Sequence, residues 1–478
     1  MIIEITSTNY LSVEISVFDT IRIGKPFCQQ ELTTFIEQNK SNIRSLEIVN
    51  CDWLTSIPVL PNLTTLNCTG CHGLTSIPIL PNLTTLNCRF CNGLTTIPLL
   101  PNLTTLDCSE CRGLTGIAVQ PNLTTLNCIL CIALTTIQVQ PNLTTLNCSL
   151  CKGLTGIPVL PNLTSLSCNR CDELISIPIL PNLTTLICSY CDELTCIPVL
   201  PNLTSLCCIQ CSKLTGIPLL PNLITLACNE CPVLVDIPVL PSLNTLECKQ
   251  CYGLTGITVQ PNLTSLRCDN CSMLTRIPVL PNLTILICSN CTRLTRIPVL
   301  PNLTILICSN CIRLTDIPVQ PSLYNLYCDG CVGLTGIPVQ PNLTTLNCRC
   351  CNGLTTIPVL PNLTCLCCEE CHMLTSIQVQ PNLITISYKD CPNLRIATVP
   401  IKFISNLDTD TLIECLRYNP YNIRDMLGKR ELLGQSTTLN IIQEYLEYAE
   451  GDALVKLEGL LTENNMPLPM LVKPANRV

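Results

Sequence analysis

The chain has 478 residues, enough for two or three ordinary domains with ample material for a core. Only 12% of the residues are charged and the net charge is −7, so no basic surface for nucleic acid is expected. Aromatic residues make up 3% of the chain, which argues against base stacking as a binding mode.

The same composition argues against membrane insertion and secretion. Mean hydropathy is +0.42, yet Thr, Asn and Pro interrupt every apolar run before it reaches the roughly 18 residues of a membrane-spanning helix. The N-terminal stretch MIIEITSTNY has no basic flank followed by an apolar segment, so it does not read as a secretory signal. We therefore expect an intracellular, cytoplasmic protein with no membrane contact.

Residues 1–42 lack the repeat that dominates the rest of the chain. The stretches IIEIT and LSVEISV alternate like strands, and QQELTTFIEQN has the pattern of a short helix. The prediction is a small α/β N-terminal cap over the first repeat. An F-box-like pair of adaptor helices is the alternative, but one short helix is too little for it.

A 20-residue unit follows, from residue 41 to about 400, eighteen times without insertion or deletion. Its common form is PNLTTLNCxxCxGLTxIPVL, numbered here so that residue 61 is repeat position 1 and residue 80 is position 20. The first and last copies are degenerate, as expected beside caps. Residues 281–291 and 301–311 both read PNLTILICSNC, which indicates a recent tandem duplication.

Within one repeat, Leu66 and Cys68 lie two residues apart, which predicts a short strand with one buried face. Leu74 and Ile77 return apolar side chains to the interior. Pro78 and Pro81 favour an extended, polyproline-like arm over a helix. One repeat cannot bury its own leucines, so repeats must stack with their strands in parallel. Residues 43–400 are thus predicted to form a solenoid of about 18 repeats.

The stretch LTTLNCTGCHGL resembles the LxxLxLxxN/CxxL signature of leucine-rich repeats, over residues 43 to about 395. The 20-residue length and the IPxLPNL arm are similar to those of short-repeat bacterial effectors, and the CxGLTxI phrase is similar to repeats of mimivirus-type giant DNA viruses. The resemblance implies a leucine-rich repeat solenoid, with a parallel sheet on its concave face and extended arms on the convex one. Cys stands at position 11, where many such families have Asn.

Cysteine is the most unusual component, with 41 in the chain: 16 at position 8, 18 at position 11 and seven elsewhere. Position 8 follows a buried Leu by two residues, so Cys68 is predicted to point into the core. Position 11 lies where the chain leaves the strand and favours a small residue able to contact backbone. Free Cys packs well as a small hydrophobe, so both rows are predicted to be core residues.

Three other roles for the CxxC pairs remain open at this point. Zinc needs four converging thiolates, whereas a solenoid aligns equivalent Cys in parallel rows. Equivalent Cys of adjacent repeats could lie about 5 Å apart, within disulfide range, although a reducing compartment opposes the bond. Redox catalysis needs an exposed thiol of low pKa at a helix start, and none is offered. We expect free thiols and no metal or other cofactor.

The sequon N-L-T recurs at Asn62 and at twelve later copies. Glycosylation would need the secretory pathway, so the prediction is that this Asn bonds nearby backbone where the turn starts.

Residues 401–478 change composition abruptly. Asp408 or Thr409 is a candidate N-cap for a helix carrying Leu412 and Leu416, and Ser436 opens a second helical stretch. The prediction is a helical C-terminal element, most simply a cap, with a loose Pro-rich tail. Cys415 suggests a catalytic cysteine, as in effectors that carry a ubiquitin-ligase domain, but no His is near in sequence and the segment is short.

No catalytic constellation is recognisable, and His72 and His372 are isolated. The predicted function is a non-enzymatic protein–protein interaction scaffold, with no small-molecule substrate, or alternatively a substrate adaptor of a ubiquitin ligase. Repeat positions 5, 7 and 9 point away from the core and are mostly Thr, Asn and Ser. An apolar cluster with charged neighbours interrupts this pattern and is the predicted partner-binding surface; its residues are Arg267, Asp269, Ile285, Ile287, Ile305, Ile307, Tyr327 and Asp329.

Overall fold

The structure is a computed structural model that describes residues 2–5, 20–23, 28–378 and 380–394. The chain divides into two compact bodies, an N-terminal body (Met1–Leu263) and a C-terminal body (Thr264–Val478). The predicted helices of residues 401–478 lie outside the described residues, as does the predicted strand LSVEISV.

The N-terminal body is built on parallel strands, each paired with the strand of the next repeat. In chain order its strands are β1 (Ile2–Ile5), β2 (Thr20–Ile23), β3 (Ser45–Ile48), β4 (Thr65–Asn67), β5 (Thr85–Asn87), β6 (Thr96–Ile97), β7 (Thr105–Asp107), β8 (Gly116–Ile117), β9 (Thr125–Asn127), β10 (Thr145–Asn147), β11 (Ser165–Ser167), β12 (Thr185–Ile187), β13 (Ser205–Cys207), β14 (Thr225–Ala227) and β15 (Thr245–Glu247). β6 and β8 pair with each other in the arms, and the other strands form the sheet.

The helix predicted near the N-terminus is confirmed as α1 (Gln29–Asn39). The Glu31 carboxylate accepts a hydrogen bond from the Cys28 backbone N–H at 2.8 Å, which satisfies a donor that the first turn leaves free. Leu32, Phe35 and Ile36 lie on one face and are buried. At the other end, Asn39 Nδ2 donates to the Phe35 carbonyl. β1 pairs with β2 and β2 with β3, so parallel pairing extends before the first repeat.

The C-terminal body continues the same architecture. Its strands are β16 (Ser265–Arg267), β17 (Ile285–Ile287), β18 (Ile305–Ile307), β19 (Asn325–Tyr327), β20 (Thr345–Asn347), β21 (Thr356–Ile357), β22 (Cys365–Cys367), β23 (Ser376–Ile377) and β24 (Thr385–Ser387). β21 and β23 pair in the arms and the others form parallel sheet pairs. The predicted fold class, a parallel solenoid of leucine-rich 20-residue turns, is confirmed.

Burial follows the repeat. Positions 3, 6, 8, 11, 14, 17 and 20 are enclosed in turn after turn, as at Leu66, Cys68, Leu74 and Ile77. A strand of three residues buries only its middle side chain, because successive side chains point to opposite faces. The interior is therefore filled jointly by one strand side chain and by the residues that follow it around the turn. This confirms the predicted inward direction of Leu66, Leu74 and Ile77.

A left-handed residue lies two or three residues after the sheet strand of each described repeat. Position 10 has a φ between 55° and 63° in sixteen repeats without glycine there, and Gly70 and Gly330 occupy it in the other two. Its N–H donates to the position 9 carbonyl of the next repeat, as from Leu150 to Asn169 at 2.7 Å. This bond holds the corner that directs the chain from the sheet into the interior.

The cysteine rows form ordered contacts. The position 11 thiol donates to the position 8 carbonyl of the preceding repeat, as from Cys91 to Cys68 at 3.1 Å and from Cys151 to Cys128 at 3.0 Å. All of the position 8 cysteines are buried. Both rows are thus core residues, and the position 11 thiols also link each repeat to the backbone of the preceding one.

The recurrent Asn at position 2 bonds backbone, as predicted, although across repeats. Asn82 Nδ2 donates to the Pro61 carbonyl at 2.7 Å and Asn102 Nδ2 to the Pro81 carbonyl at 2.7 Å. Thr84 at position 4 donates similarly to the Thr64 carbonyl at 3.0 Å. This edge of the turn is therefore a ladder of side chain to backbone bonds.

No helix among the described residues is long and apolar enough to cross a membrane.

Candidate partner-binding surface

Strand register in the C-terminal body brings the predicted apolar residues together. In neighbouring strands Ile285 pairs with Ile305 and Ile287 with Ile307. Ile307 in turn pairs with Tyr327. Since paired strands lie about 4.8 Å apart, these side chains stack in contact on one face of the sheet. We call these five residues the isoleucine patch.

The patch faces outward because of the strand alternation. In β17 and β18 the middle residues Leu286 and Leu306 are fully buried, and the isoleucines on either side are partly exposed. Most repeats place Thr or Ser at position 5 and Asn or another polar residue at position 7. The patch is thus apolar where the same sheet elsewhere is mainly polar.

Polar residues border the patch at position 9. Asp269 Oδ1 accepts a hydrogen bond from the Ser289 N–H at 3.1 Å, and Asp329 Oδ2 accepts one from Ser309 Oγ at 3.0 Å. Asp329 Oδ1 is buried and has no hydrogen-bond donor among the described residues. Arg267 is paired in register with Ile287, at the start of the position 7 row. All eight predicted site residues therefore lie on or beside one stretch of the sheet.

Sequence reasoning missed the continuation of the surface beyond Tyr327. The next partners along the position 7 row are Asn347 and then Cys367, and Cys365 lies in the position 5 row. Burial raises the pKa of the Cys367 thiol to about 11, so this thiol stays protonated at neutral pH. The signal was present in the sequence, because CLC replaces the usual TLN at this strand.

A charged cluster lies beside these thiols. Arg349 forms an ion pair with Glu370 and lies 3.6 Å from a Glu369 carboxylate oxygen. Cys350 donates its thiol to Glu370 Oε2 at 3.3 Å. The hydrogen bond from Arg349 lowers the pKa of Glu370, which keeps this carboxylate ionised. The cluster is partly exposed, so its main contribution is to orient charge at the edge of the surface rather than to stabilise the fold.

Two grooves lie elsewhere, along the Asn and Thr ladder of the N-terminal body. Their volumes are about 1000 Å³ and about 600 Å³. The first is lined by Asn122, Thr124, Asn142, Thr144, Asn162, Thr164, Asn182, Thr184, Asn202, Thr204, Asn222, Ile224 and Ser242. Asn Nδ2 and Thr Oγ1 atoms in this ladder already donate to neighbouring backbone, as at Asn142 and Thr144. The groove therefore has few directed donors left for a ligand.

The thiols of the position 8 row are poor nucleophiles. The neighbouring thiol of Cys91 and burial raise the pKa of Cys68 well above its ordinary value, and Cys88 is affected in the same way by Cys111. No group of three or more His, Cys, Asp or Glu in the described part of the chain is placed to hold a metal ion. His72 and His372 each contact an Asn of the preceding or following repeat at the surface.

Comparison with known proteins gives few matches. No protein-family model and no curated protein matches the chain. The crystal structure of a leucine-rich repeat protein from Bacteroides ovatus is 17% identical, with a TM-score of 0.43, and the match covers 72% of this chain and 88% of that chain. The crystal structure of a leucine-rich cell surface protein from Faecalibacterium prausnitzii is 16% identical, with a TM-score of 0.20, covering 74% and 79%. Neither likeness says what this chain binds.

Proposed function

We propose that the protein is a non-enzymatic scaffold that binds a protein partner through the isoleucine patch. The observation that carries the proposal is the register of β17, β18 and β19, which stacks four isoleucines and Tyr327 on an outward face. Apolar surface that is contiguous and bordered by polar groups is typical of protein interaction sites. Solenoid sheets offer such surfaces to large partners.

The chemistry of the patch favours a protein over other ligands. Its centre offers branched aliphatic side chains and one aromatic ring, which suit apolar anchor residues of a partner. Its edge carries the half-buried Asp269, whose carboxylate suits hydrogen-bond donors or basic side chains of a partner. A nucleic acid would require a basic surface, and the chain has 33 acidic against 26 basic residues.

The test asks whether the protein captures partner proteins and whether this capture depends on the isoleucine patch. The immobilised protein is incubated with a cytoplasmic extract, and the retained proteins are identified by mass spectrometry. Ile287→Asp combined with Ile307→Asp places two charges at the centre of the patch. We expect this variant to lose a defined set of proteins at least tenfold, because burying an unpaired carboxylate at an interface is strongly unfavourable.

Two further variants make the result decisive. Ile187→Asp with Ala227→Asp places the same charges at position 7 of the N-terminal body and should retain the partner set. Replacing all four isoleucines by Thr keeps β-branched side chains on the strands, so the fold should persist while the partner is lost. A partner set that is retained equally by wild type and by both patch variants would refute the proposal.

Two finer proposals rest on the sequence resemblance alone. The first is that the partner is a host protein met in the cytoplasm of an infected cell. The alternative is that the array delivers substrates to a ubiquitin ligase. The same capture experiment separates them: co-purification of ligase subunits that does not depend on the patch supports the adaptor, and its absence refutes it.

A further inference from the structure

A second apolar feature lies in the arms of the N-terminal body. At position 19 every repeat of this body carries Val, Ile or Leu, and each of these residues is between 47% and 64% exposed. The row consists of Val59, Ile79, Leu99, Val119, Val139, Val159, Ile179, Val199, Leu219, Val239 and Val259. We call it the arm row. It is distinct from the isoleucine patch in position, and the inference below does not depend on the proposed function.

The local structure does not require apolar side chains in the arm row. Positions 17 and 20, which flank it, are buried and fill the interior, as at Ile177 and Leu180. Position 19 points to solvent, where a polar residue would serve the solenoid equally well. Position 12 has diverged over the same repeats to residues as different as Asp172, Ser212 and Tyr252. Recent duplication therefore does not explain why position 19 stays aliphatic.

The arm row lies on a face nearly devoid of charge. Positions 14 to 20 and 1 to 3 of the eleven repeats, residues 54–63 through 254–263, contain a single charged residue, Asp236. All other charged residues of these repeats lie at positions 4 to 13, on the sheet and the turn that follows it. Charged side chains are the usual protection against association, and this face has almost none.

The area of the arm row matches what a stable dimer needs. A Val, Leu or Ile side chain carries roughly 60–120 Å² of apolar surface, so eleven half-exposed ones present roughly 300–700 Å². A standard interface buries about 800 Å² on each partner, a little over half of it apolar. The arm row, with the partly exposed prolines at position 18, therefore supplies the apolar part of one interface.

We propose that the arm row is a self-association surface, on which two copies of this chain pack arm to arm. The repeat itself selects this partner. A second copy carries the same side chains at the same spacing, so side chains of one row can pack between those of the other. A two-fold axis perpendicular to the row sets each row against itself, which is the arrangement of an isologous dimer. The like charges of the two copies lie on other faces, where they oppose association least.

The experiment measures the oligomeric state of the full-length chain by sedimentation velocity from about 0.1 to 100 μM. We expect the wild type to be dimeric in the upper part of this range. The variant Val159→Lys, Ile179→Lys, Val199→Lys places three charges in the row and should be monomeric throughout. The variant Val159→Thr, Ile179→Thr, Val199→Thr keeps the β-branched shape and should also weaken the dimer, with circular dichroism confirming that both fold.

The matched control is Ile132→Lys, Val233→Lys, Tyr252→Lys. These residues are also exposed apolar side chains, at positions 12 and 13, and their replacement should leave the dimer unchanged. Cys196 provides a second readout, because its exposed thiol lies three residues before Val199. Its alkylation should slow with rising concentration in the wild type and in the control variant, and should be independent of concentration in the Lys variant.

Three results would overturn the inference. They are a monomeric wild type at every concentration, a dimer that the Lys and Thr variants leave intact, and a dimer that the control variant loses equally. If the wild type is monomeric and dimerises only after residues 401–478 are removed, the inference is also overturned. The occupant of the arm row would then be this chain's own C-terminal segment. Each outcome is independent of partner capture by the isoleucine patch.

Discussion

The cysteine at repeat position 8 is buried, and its thiol must stay protonated to remain so. A hydrogen bond with Cys171 and burial raise the pKa of Cys148 well above 9.0, and eleven other position 8 thiols are raised in the same way. In the unfolded chain the same thiols ionise near their ordinary pKa. At these position 8 thiols the folded state thus holds more protons at alkaline pH than the unfolded chain does.

The sign of the pH dependence follows from this difference. The stabilisation is fully present below about pH 9 and is lost as the pH rises above it, because the unfolded chain then releases protons that the folded chain holds. Each such thiol therefore makes the free energy of unfolding fall as the pH rises through that window. We expect the urea midpoint, followed by circular dichroism, to fall steeply between pH 8 and 10.

A single variant checks the origin of that fall. Cys148→Val removes one buried titrating group and should reduce the slope of the urea midpoint against pH. A urea midpoint that is flat to pH 10 would contradict the burial argument.

Position 10 illustrates where sequence reasoning stops at the residue scale. Leu130, Phe90 and Tyr190 adopt left-handed backbone there, although such residues rarely do so. Nothing in these residue types predicts it. The conformation accompanies the hydrogen bond from the position 10 N–H to the next repeat, which is a property of stacked turns and not of any one turn. The buried positions, in contrast, were predicted because hydrophobic spacing alone determines them.

At the scale of the elements, the arms lack the regular strand pairing of the sheet. Buried glutamine side chains bond their backbone instead. The fully buried Gln120 accepts a bond from the Leu100 N–H through Oε1 at 2.8 Å, and its Nε2 donates to the Pro98 carbonyl at 2.7 Å. Gln140 repeats the arrangement one turn later, on Gln120 N–H and the Ala118 carbonyl. The side chains of these glutamines thus provide the backbone hydrogen bonds that a neighbouring strand would otherwise provide.

The corresponding prediction concerns Gln120→Met, which keeps the size and removes both bonds. The buried Leu100 N–H and the half-buried Pro98 carbonyl then lose their partners, so we expect a loss of about 2–4 kcal/mol in the free energy of unfolding. Urea denaturation measures it. Leu80→Met, at the same repeat position in a turn with Leu, should cost less than about 1.5 kcal/mol. Equal losses in the two variants would show that the side-chain bonds contribute little.

For the candidate surface too, the spacing of residues in the sequence predicts some features and not others. The outward direction of Ile287 and Ile307 follows from strand alternation, and their adjacency follows from equal repeat lengths. The thiol of Cys367 could have been found from the CLC that replaces TLN, whereas the Arg349 cluster was missed because it depends on which side chains of two adjacent repeats meet. The arm row was missed because position 19 was assigned only to arm geometry.

For the whole molecule, the repeat pattern predicts stacking but not the division into two bodies. The repeat runs through residues 263 and 264 without an insertion, so no composition change marks that boundary. The predicted boundaries of 1–42, 43–400 and 401–478 rest on sequence alone and stay predictions.

Deletion of residues 401–478 tests whether that segment is a cap. The last described repeats bury Leu383 and Ile386, and a cap would cover the apolar end of the stack beyond them. We expect the truncated chain to aggregate, as measured by light scattering on warming, whereas deletion of only 466–478 should leave the protein in solution. A truncated protein that stays dispersed and unfolds at the same temperature would identify a separate module.

The equal length of the repeats has a genetic consequence. Residues 285–287 and 305–307 have identical sequence, and both strands pair in the same register with their neighbours. If 20 residues were lost between these two strands, a single strand of the same sequence would remain. It would still pair in the same register with the strand on either side. Slippage or unequal exchange in the coding DNA can therefore change the number of turns without passing through an unfoldable intermediate. Binding area then becomes a heritable quantity that varies in steps of one turn.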